Sequence, residues 1–398
     1  MGNLNIQLPT NVRMIIETLQ GHGYEAYAVG GCVRDSILGR EPEDWDITTS
    51  AMPQETKSLF HKTFDTGIEH GTVTVLLDKE GYEVTTYRID GKYEDSRHPK
   101  EVTFTRSLKE DLLRRDFTIN AMAYNDQTGL VDLFGGIEDI QRKVIRCVGE
   151  PMERFTEDAL RIMRAVRFSA QLGFSIEEKT WEALKELAPT LVHVSQERIQ
   201  VELVKLLVSA HPHYVKKLQE AKILTVILPE LGEISQDRLK HLQALPADKK
   251  LRLAALLLPL GDRKAQAVLR RLKFDNDTIS TVGRLIRWYD RDFEQGLLDM
   301  RHALNEIGDD LMEMLLQFQK YRHPVEEAKK AFLEVVRLGQ CYQLKQLALT
   351  GNDLIAMGIK PGRQIGEYLQ DCLALVLDEP DKNEKAYLRT YVETLQQK

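Results

Sequence analysis

At 398 residues, with 42% hydrophobic and 29% charged content, the chain is too long for one ordinary core, and its composition excludes disordered, collagen-like and membrane-spanning classes. A net charge of −7 excludes indiscriminate binding to nucleic acid but leaves room for a local basic surface. Cys32, Cys147, Cys341 and Cys372 are scattered and form no CxxC, which argues against zinc or a disulfide framework. With no basic stretch followed by an apolar one at the start, the cytoplasm is the expected location.

In chain order, Arg13 to Gly21 reads as a helix with Val12, Ile15, Ile16 and Leu19 on one face, ended by Gly21-His22-Gly23. A strand from Tyr24 to Val29 passes through Gly30-Gly31-Cys32-Val33-Arg34 into a second helix. Asp44-Trp45-Asp46 follows on what reads as the next strand, where alternation sends both carboxylates one way and Trp45 and Ile47 inward. Converging carboxylates beside a glycine turn can hold a divalent metal and a triphosphate together. A turn or calcium loop is the alternative for such a pair, but the EF-hand pattern is absent. Arg34, early in its helix, opposes the helix dipole and so requires an anion, either a triphosphate or an internal carboxylate at Asp35 or Glu43. Neither a P-loop nor a Rossmann glycine pattern is present.

Thr72–Leu77 and Tyr82–Tyr87 predict a hairpin around Lys79-Glu80-Gly81. Glu83 faces oppositely to its neighbours there, as a candidate third carboxylate or simply an acid on an exposed hairpin face. Two or three such acids could hold two magnesium ions, one activating a terminal 3′-hydroxyl and one binding the triphosphate. From about Glu153 onward strand signals fade and amphipathic helical pattern dominates.

The segment 155–168 predicts one helix capped by Thr156, with Ala159, Ile162, Met163, Val166 and Ala170 inward and Asp158, Arg161, Arg164 and Arg167 on the opposite arc. An ordinary surface helix has the same charge pattern. Chemistry adds a second reading. Asp158 only accepts hydrogen bonds and Arg161 only donates them, one turn apart. Cytosine and adenine both present an amine beside an acceptor ring nitrogen, which such a pair matches; uracil and guanine present the reverse. Arg164 and Arg167 remain for phosphates. Further on, Lys249, Lys250, Arg252, Arg263, Lys264, Arg270, Arg271 and Lys273 form a basic stretch opposed locally only by Asp262, either a solvated face or a surface for a polyanion.

Val29–Asp35 with Asp44–Ser50, then Arg114–Ala123, Glu157–Arg161 continuing to Arg167, and Glu197–Glu202 together resemble the motifs of the bacterial class II tRNA nucleotidyltransferases (CCA-adding enzymes) and their poly(A) polymerase relatives in the polymerase-β superfamily. The resemblance spans 24–207 in order and spacing. It implies an α+β nucleotidyltransferase head with a small mixed sheet (1–145), followed by an all-α neck (146–207), a body (208–330) and a tail (331–398). It also implies magnesium on Asp44 and Asp46, and nucleotide contacts from Gly31, Arg34, Arg115, Asp158, Arg161, Arg164 and Arg167. The expected substrates are CTP, ATP and the tRNA 3′ end with its acceptor and TΨC region; no protein partner and no membrane are implied. Asp90 to Pro99 is similar to the element that, in relatives adding all of CCA, helps the switch from C to A. That favours complete addition, or an A-adding specialist, over CC-only addition; an A-adding or CC-adding enzyme and a poly(A) polymerase are the alternatives. Leu251–Leu257 resembles the body that in some relatives carries a His-Asp metal pair; Leu258-Pro259 falls in that place, so a phosphohydrolase is not expected and the body is expected to bind RNA. Thr350–Ile355 and Gly358–Gly362 resemble tail segments of the same family. A non-catalytic RNA-binding protein on the same scaffold is the rival from another class; intact Asp44, Asp46 and Arg34 speak against it.

Overall fold

The structure, a computed structural model, describes residues 6–90 and 102–397. The Asp90–Pro99 element expected to bear on the C-to-A switch therefore lies, beyond Asp90, outside the described residues. The chain divides into two compact units, Met1–Gln243 with Arg271–Phe274, and Ala244–Arg270 with Asp275–Lys398. The break after Gln243 falls inside the expected 208–330 body and coincides with none of the boundaries expected at 146, 208 and 331.

In the first unit, α1 (Thr10–Gly21) buries the four expected apolar residues and gives way to Gly23 in a left-handed conformation. There follow β1 (Ala26–Val29), α2 (Gly31–Ile37), β2 (Ile47–Thr49), α3 (Pro53–Leu59), β3 (Thr63–Gly67), β4 (Thr72–Leu77) and β5 (Glu80–Thr86). β6 (Arg88–Asp90) pairs with β7 (Val102–Phe104), and α4 (Leu108–Leu113) leads to β8 (Met122–Asn125) and β9 (Gly129–Asp132). One seven-stranded sheet has the order β3-β4-β5-β2-β1-β8-β9. All its neighbours are antiparallel except β2 and β5, which run parallel with Ile47 opposite Val84. β1 is buried along its whole length, as a central strand should be.

Two expectations change here. Asp44 and Asp46 precede β2 instead of lying on it: the Val29 N–H donates to the Asp46 carbonyl at 3.0 Å, but the ladder proper begins at Ile47. Ile47 is fully buried as expected, whereas Trp45 is only half-buried. The hairpin turn is Asp78-Lys79, both with positive φ (48° and 70°), because a two-residue turn of that hand matches strand twist; Glu80 already pairs with Leu77.

Beyond α5 (Gly136–Arg142) the chain is mostly helical: α6 (Pro151–Glu157), α7 (Leu160–Leu172), α8 (Glu178–Leu187) and α9 (Gln196–Leu207). A short parallel pair, β10 (Val144–Ile145) with β11 (Ser175–Ile176), interrupts them where no strand was expected. The single helix expected over 155–168 is two. Asp158, at φ −139° and ψ 102°, breaks it. Thr156 caps nothing; its hydroxyl donates back to the Met152 carbonyl, while Asp158 accepts from the Leu160 N–H at 3.0 Å. The inward face is as expected, with Ala159, Ile162, Met163, Val166 and Ala170 fully buried.

The second unit is helical among its described residues. Asp248 caps the helix Lys249–Leu257 through the N–H groups of Lys250 and Leu251, and Asp275 caps Asn276–Trp288 through that of Thr278. These two helices pack on Asp309–Gln319 around Leu253, Leu256, Leu285, Leu315 and Phe318, each almost wholly buried. The basic stretch is less open than its composition suggests. Lys249 and Lys250 pair with Asp275 and Asp277, Arg252 is buried and donates to the Leu245 carbonyl, and Asp262 pairs with Arg287. In the first unit Arg271 is held by Glu230. No described helix is long and apolar enough to cross a membrane.

Candidate active site

Gly30 links β1 to α2 at φ 82°, a conformation glycine adopts without strain, and a Cβ there would stand 3.1 Å from Arg115 Nη1. The backbone thus turns tightly beneath a cavity of about 930 Å³ whose wall includes Gly30, Gly31, Arg34, Asp44, Asp46, Arg115, Asp158, Arg161, Arg164 and Arg167. Every nucleotide- or metal-binding candidate from the sequence except Glu83 lines this one space. Burial and Asp46 push the Cys32 thiol, also on the wall, up to about 11, so it is no thiolate nucleophile.

Asp44 and Asp46 are exposed where they meet the cavity. Burial of its surroundings raises the Asp46 carboxyl, Arg115 pulls it back, and Asp44 raises it again. Glu83 is raised by burial, then by Asp46 and Asp44. The parallel register explains the link: Ile47 faces Val84, so the residues before them come together across β2 and β5. Among the described residues no group of three His, Cys, Asp or Glu is gathered to hold a metal ion. The acids nevertheless fit one, since hard oxygen donors close enough for Asp44 to raise the carboxyls of Asp46 and Glu83 are relieved by a divalent cation.

Across from them stand the arginines. Arg34 is almost buried and satisfies its anion requirement internally, with a bidentate pair to Asp35 (2.9 and 2.8 Å) and a 2.6 Å bond to Asn120 Oδ1. Glu43, the other carboxylate considered, is not its partner. Asn120 donates to Asp116 at 3.2 Å, and Asp116 accepts from Arg164 at 2.7 and 2.6 Å. Arg164 approaches Glu202 at 4.0 Å, and Glu202 accepts from Arg167 at 2.8 Å. Arg115 is tied to Asp111 by one nitrogen at 3.3 Å, while its buried Nε has no partner among the described residues.

Asp116 anchors this network. Burial alone would raise its carboxyl, but Arg164, the Asn120 amide and Arg161 outweigh that and hold it at about 2. A depressed folded pKa stabilises above the unfolded value and is lost as pH falls toward the folded one. Asp116→Asn is therefore expected to destabilise the protein at pH 7 by on the order of 2 kcal/mol, a deficit that vanishes between about pH 4 and pH 2. Urea unfolding at both ends of that range checks it; an equal deficit at both would refute it.

Asp158 and Arg161 share the cavity wall but do not bond to each other through their side chains. Asp158 accepts from Arg198 at 2.7 Å; the Arg161 guanidinium donates to Glu157 (2.6 Å) and to the carbonyls of Arg154 and Arg114 (3.0 Å each). Nor does the arc carrying Arg161 and Arg167 face water: both are more than nine-tenths buried, because the break at Asp158 sets α7 with that side against the cavity.

Asp116, Asn120, Glu202, Arg198 and Phe168 were not singled out as site residues from the sequence, although all except Phe168 sit inside its motif segments, and Phe168 ends the helix segment that was read. For the four polar residues, their place inside those segments was the available signal; Phe168 carried none.

Three family models match in order: the poly(A) polymerase head domain over 26–146, the RNA- and SrmB-binding site of polymerase A over 173–234, and domain 2 of tRNA nucleotidyltransferases over 246–392. The chain is 39% identical to the CCA-adding enzyme of Pediococcus pentosaceus, covering 97% of this chain and 98% of that one. It is 39% identical to the CCA-adding enzyme of Enterococcus faecalis, covering 95% and 94%. Its structure resembles that of the Bacillus stearothermophilus CCA-adding enzyme in complex with CTP, with a TM-score of 0.81 and 34% identity over 96% and 97% of the two chains. The chain belongs to the CCA-adding enzymes, tRNA nucleotidyltransferases with a poly(A) polymerase-type head. This family is generally dependent on a divalent metal.

Proposed function

We propose that this chain adds C, C and A in turn to the 3′ end of tRNA, using CTP and ATP, releasing pyrophosphate and reading no nucleic-acid template. The observation that carries the reading is the single cavity whose wall joins the acid pair Asp44 and Asp46 to the bank of arginines and to Asp158 with Arg161. Asp44 and Asp46 are the residues to hold magnesium, with Glu83 as an adjoining acid. A divalent cation supplies, when bound, acidity to the attacking 3′-hydroxyl and charge neutralisation to the triphosphate. The hydroxyl gives up its proton to solvent and its oxygen bonds to the α-phosphorus as the α–β bridging bond breaks, and pyrophosphate departs with the electron pair. Arg34, Arg164 and Arg167 offer fixed N–H groups to the phosphates, already oriented by Asn120, Asp116 and Glu202, so little reorganisation accompanies the reaction. Gly31 admits the nucleotide close to the backbone, and the unpartnered Arg115 Nε adds a donor.

Base choice follows from acceptor count. A carboxylate has about four lone-pair positions, so Asp158 can keep Leu160 and Arg198 and still accept from the amine of C or A. Arg161 exchanges one of its carbonyl contacts for the ring nitrogen. Uracil or guanine places a carbonyl against Asp158, leaving buried groups unpaired. The mostly helical remainder serves RNA binding at the acceptor and TΨC region, in the cytoplasm where tRNA resides; such binding weakens with salt.

The test uses tRNA ending at the discriminator base. CTP alone is expected to add two C residues, ATP alone nothing, and both together CCA. Adenosine on the bare end, or long A tails, would overturn the reading.

A further inference from the structure

Phe168 is nearly buried, lines the cavity, and is met by three guanidinium groups. The Cζ atoms of Arg34 and Arg164 each lie 5.2 Å from its ring centroid, and that of Arg167 lies at 3.5 Å. Phe117, fully buried, meets the ring at 5.8 Å and 80°, wedging its position. Three like charges around one apolar side chain repel one another, and most strongly in a poorly hydrated site. Their carboxylate partners Asp35, Asp116 and Glu202 offset part of this. What the three cations have in common is the ring, whose electron-rich π system attracts all of them.

We propose that Phe168 is a positioning residue for polyphosphate binding: its π system gathers Arg34, Arg164 and Arg167 into one converging set before the anion arrives. The ring touches no phosphate itself. It offsets the repulsion that would otherwise splay the guanidinium groups, so an entering triphosphate, or pyrophosphate leaving, meets donors already in place. This rests on the reading of the cavity as a nucleoside triphosphate site, and it assigns the aromatic side chain a purpose beyond filling space. The ligand chemistry is a chain of linked phosphates; single phosphates of an RNA backbone gain nothing from the arrangement.

The experiment keeps the shape and removes the quadrupole. Phe168→4-fluorophenylalanine, Phe168→3,5-difluorophenylalanine and Phe168→3,4,5-trifluorophenylalanine are introduced into the full chain by suppression, alongside Phe168→Leu. CTP and pyrophosphate dissociation constants are expected to rise stepwise along the fluorinated series, reaching about three- to thirtyfold at the end. Tm and affinity for tRNA are expected to stay level across that series while kcat/KM for CTP falls with it, and Phe168→Leu to bind CTP no better than the most fluorinated protein. A flat CTP series with wild-type-like stability, or affinity that falls only in proportion to Tm, overturns the proposal. Failure of the unmodified protein to bind either CTP or pyrophosphate overturns the nucleotide-site reading and this proposal with it.

Discussion

Replacing Asp46 by Ala is expected to lower incorporation of CMP into tRNA about a thousandfold or more, corresponding to ~4 kcal/mol of lost transition-state stabilisation. The reasoning is local. Asp46 feels both Arg115 and Asp44 and is tied through its carbonyl to Val29 at the end of β1, so its side chain is held where the sheet opens onto the cavity. Asp46→Ala removes a carboxylate crowded by like charge, so the metal-free variant is expected to unfold no more readily than the parent. Loss of turnover with retained Tm and retained affinity for CTP in the absence of divalent ions distinguishes a lost metal ligand from a damaged fold. Turnover within tenfold of the parent would remove Asp46 from the mechanism.

The second large effect concerns monomer choice. Asp158→Asn replaces an acceptor-only group with an amide that can donate, and so can meet a carbonyl edge. Discrimination of CTP over UTP, read as the ratio of kcat/KM values, is expected to fall by up to about 10⁴-fold, because a site built to hydrogen-bond one edge rejects its opposite by unpaired buried groups. CTP turnover falls as well, since the neutral side chain also weakens the 2.7 Å bond to Arg198. An unchanged ratio among the four triphosphates would show that another element selects the base.

How much of this was readable from the chain depends on whether the physics was local. The four-residue apolar face of α1 and the inward face of α7 follow from a 3.6-residue period, and the structure buries those residues. The class of the head and the helical remainder were legible for the same reason. The break at Asp158 was not: a carboxylate that can bond to a backbone N–H two residues on competes with helix, but the flanking pattern stays helical on both sides. Equally hidden were the partners of the charges. Arg34 finds its carboxylate next door, yet Arg164 finds Asp116 48 residues away and Asp158 finds Arg198 40 residues away, pairings only the tertiary fold brings together. Part of the basic stretch is held for the same reason: Asp275, Asp277 and Glu230, which pair with Lys249, Lys250 and Arg271, lie outside it, while Arg263, Lys264, Arg270 and Lys273 stay exposed. Spacing announced that charges would meet something in the cavity, without saying which protein groups would hold them there.

One rod of backbone, α7, carries Arg161, Arg164 and Arg167 at equal intervals. Losing or gaining a single residue within that stretch would swing everything downstream by about 100°. Monomer selection and phosphate grip would then fall out of phase in one event. The length of this segment is accordingly under tighter constraint than the identity of several of its side chains, and point changes, not insertions, are the route by which such an enzyme could drift toward new substrates.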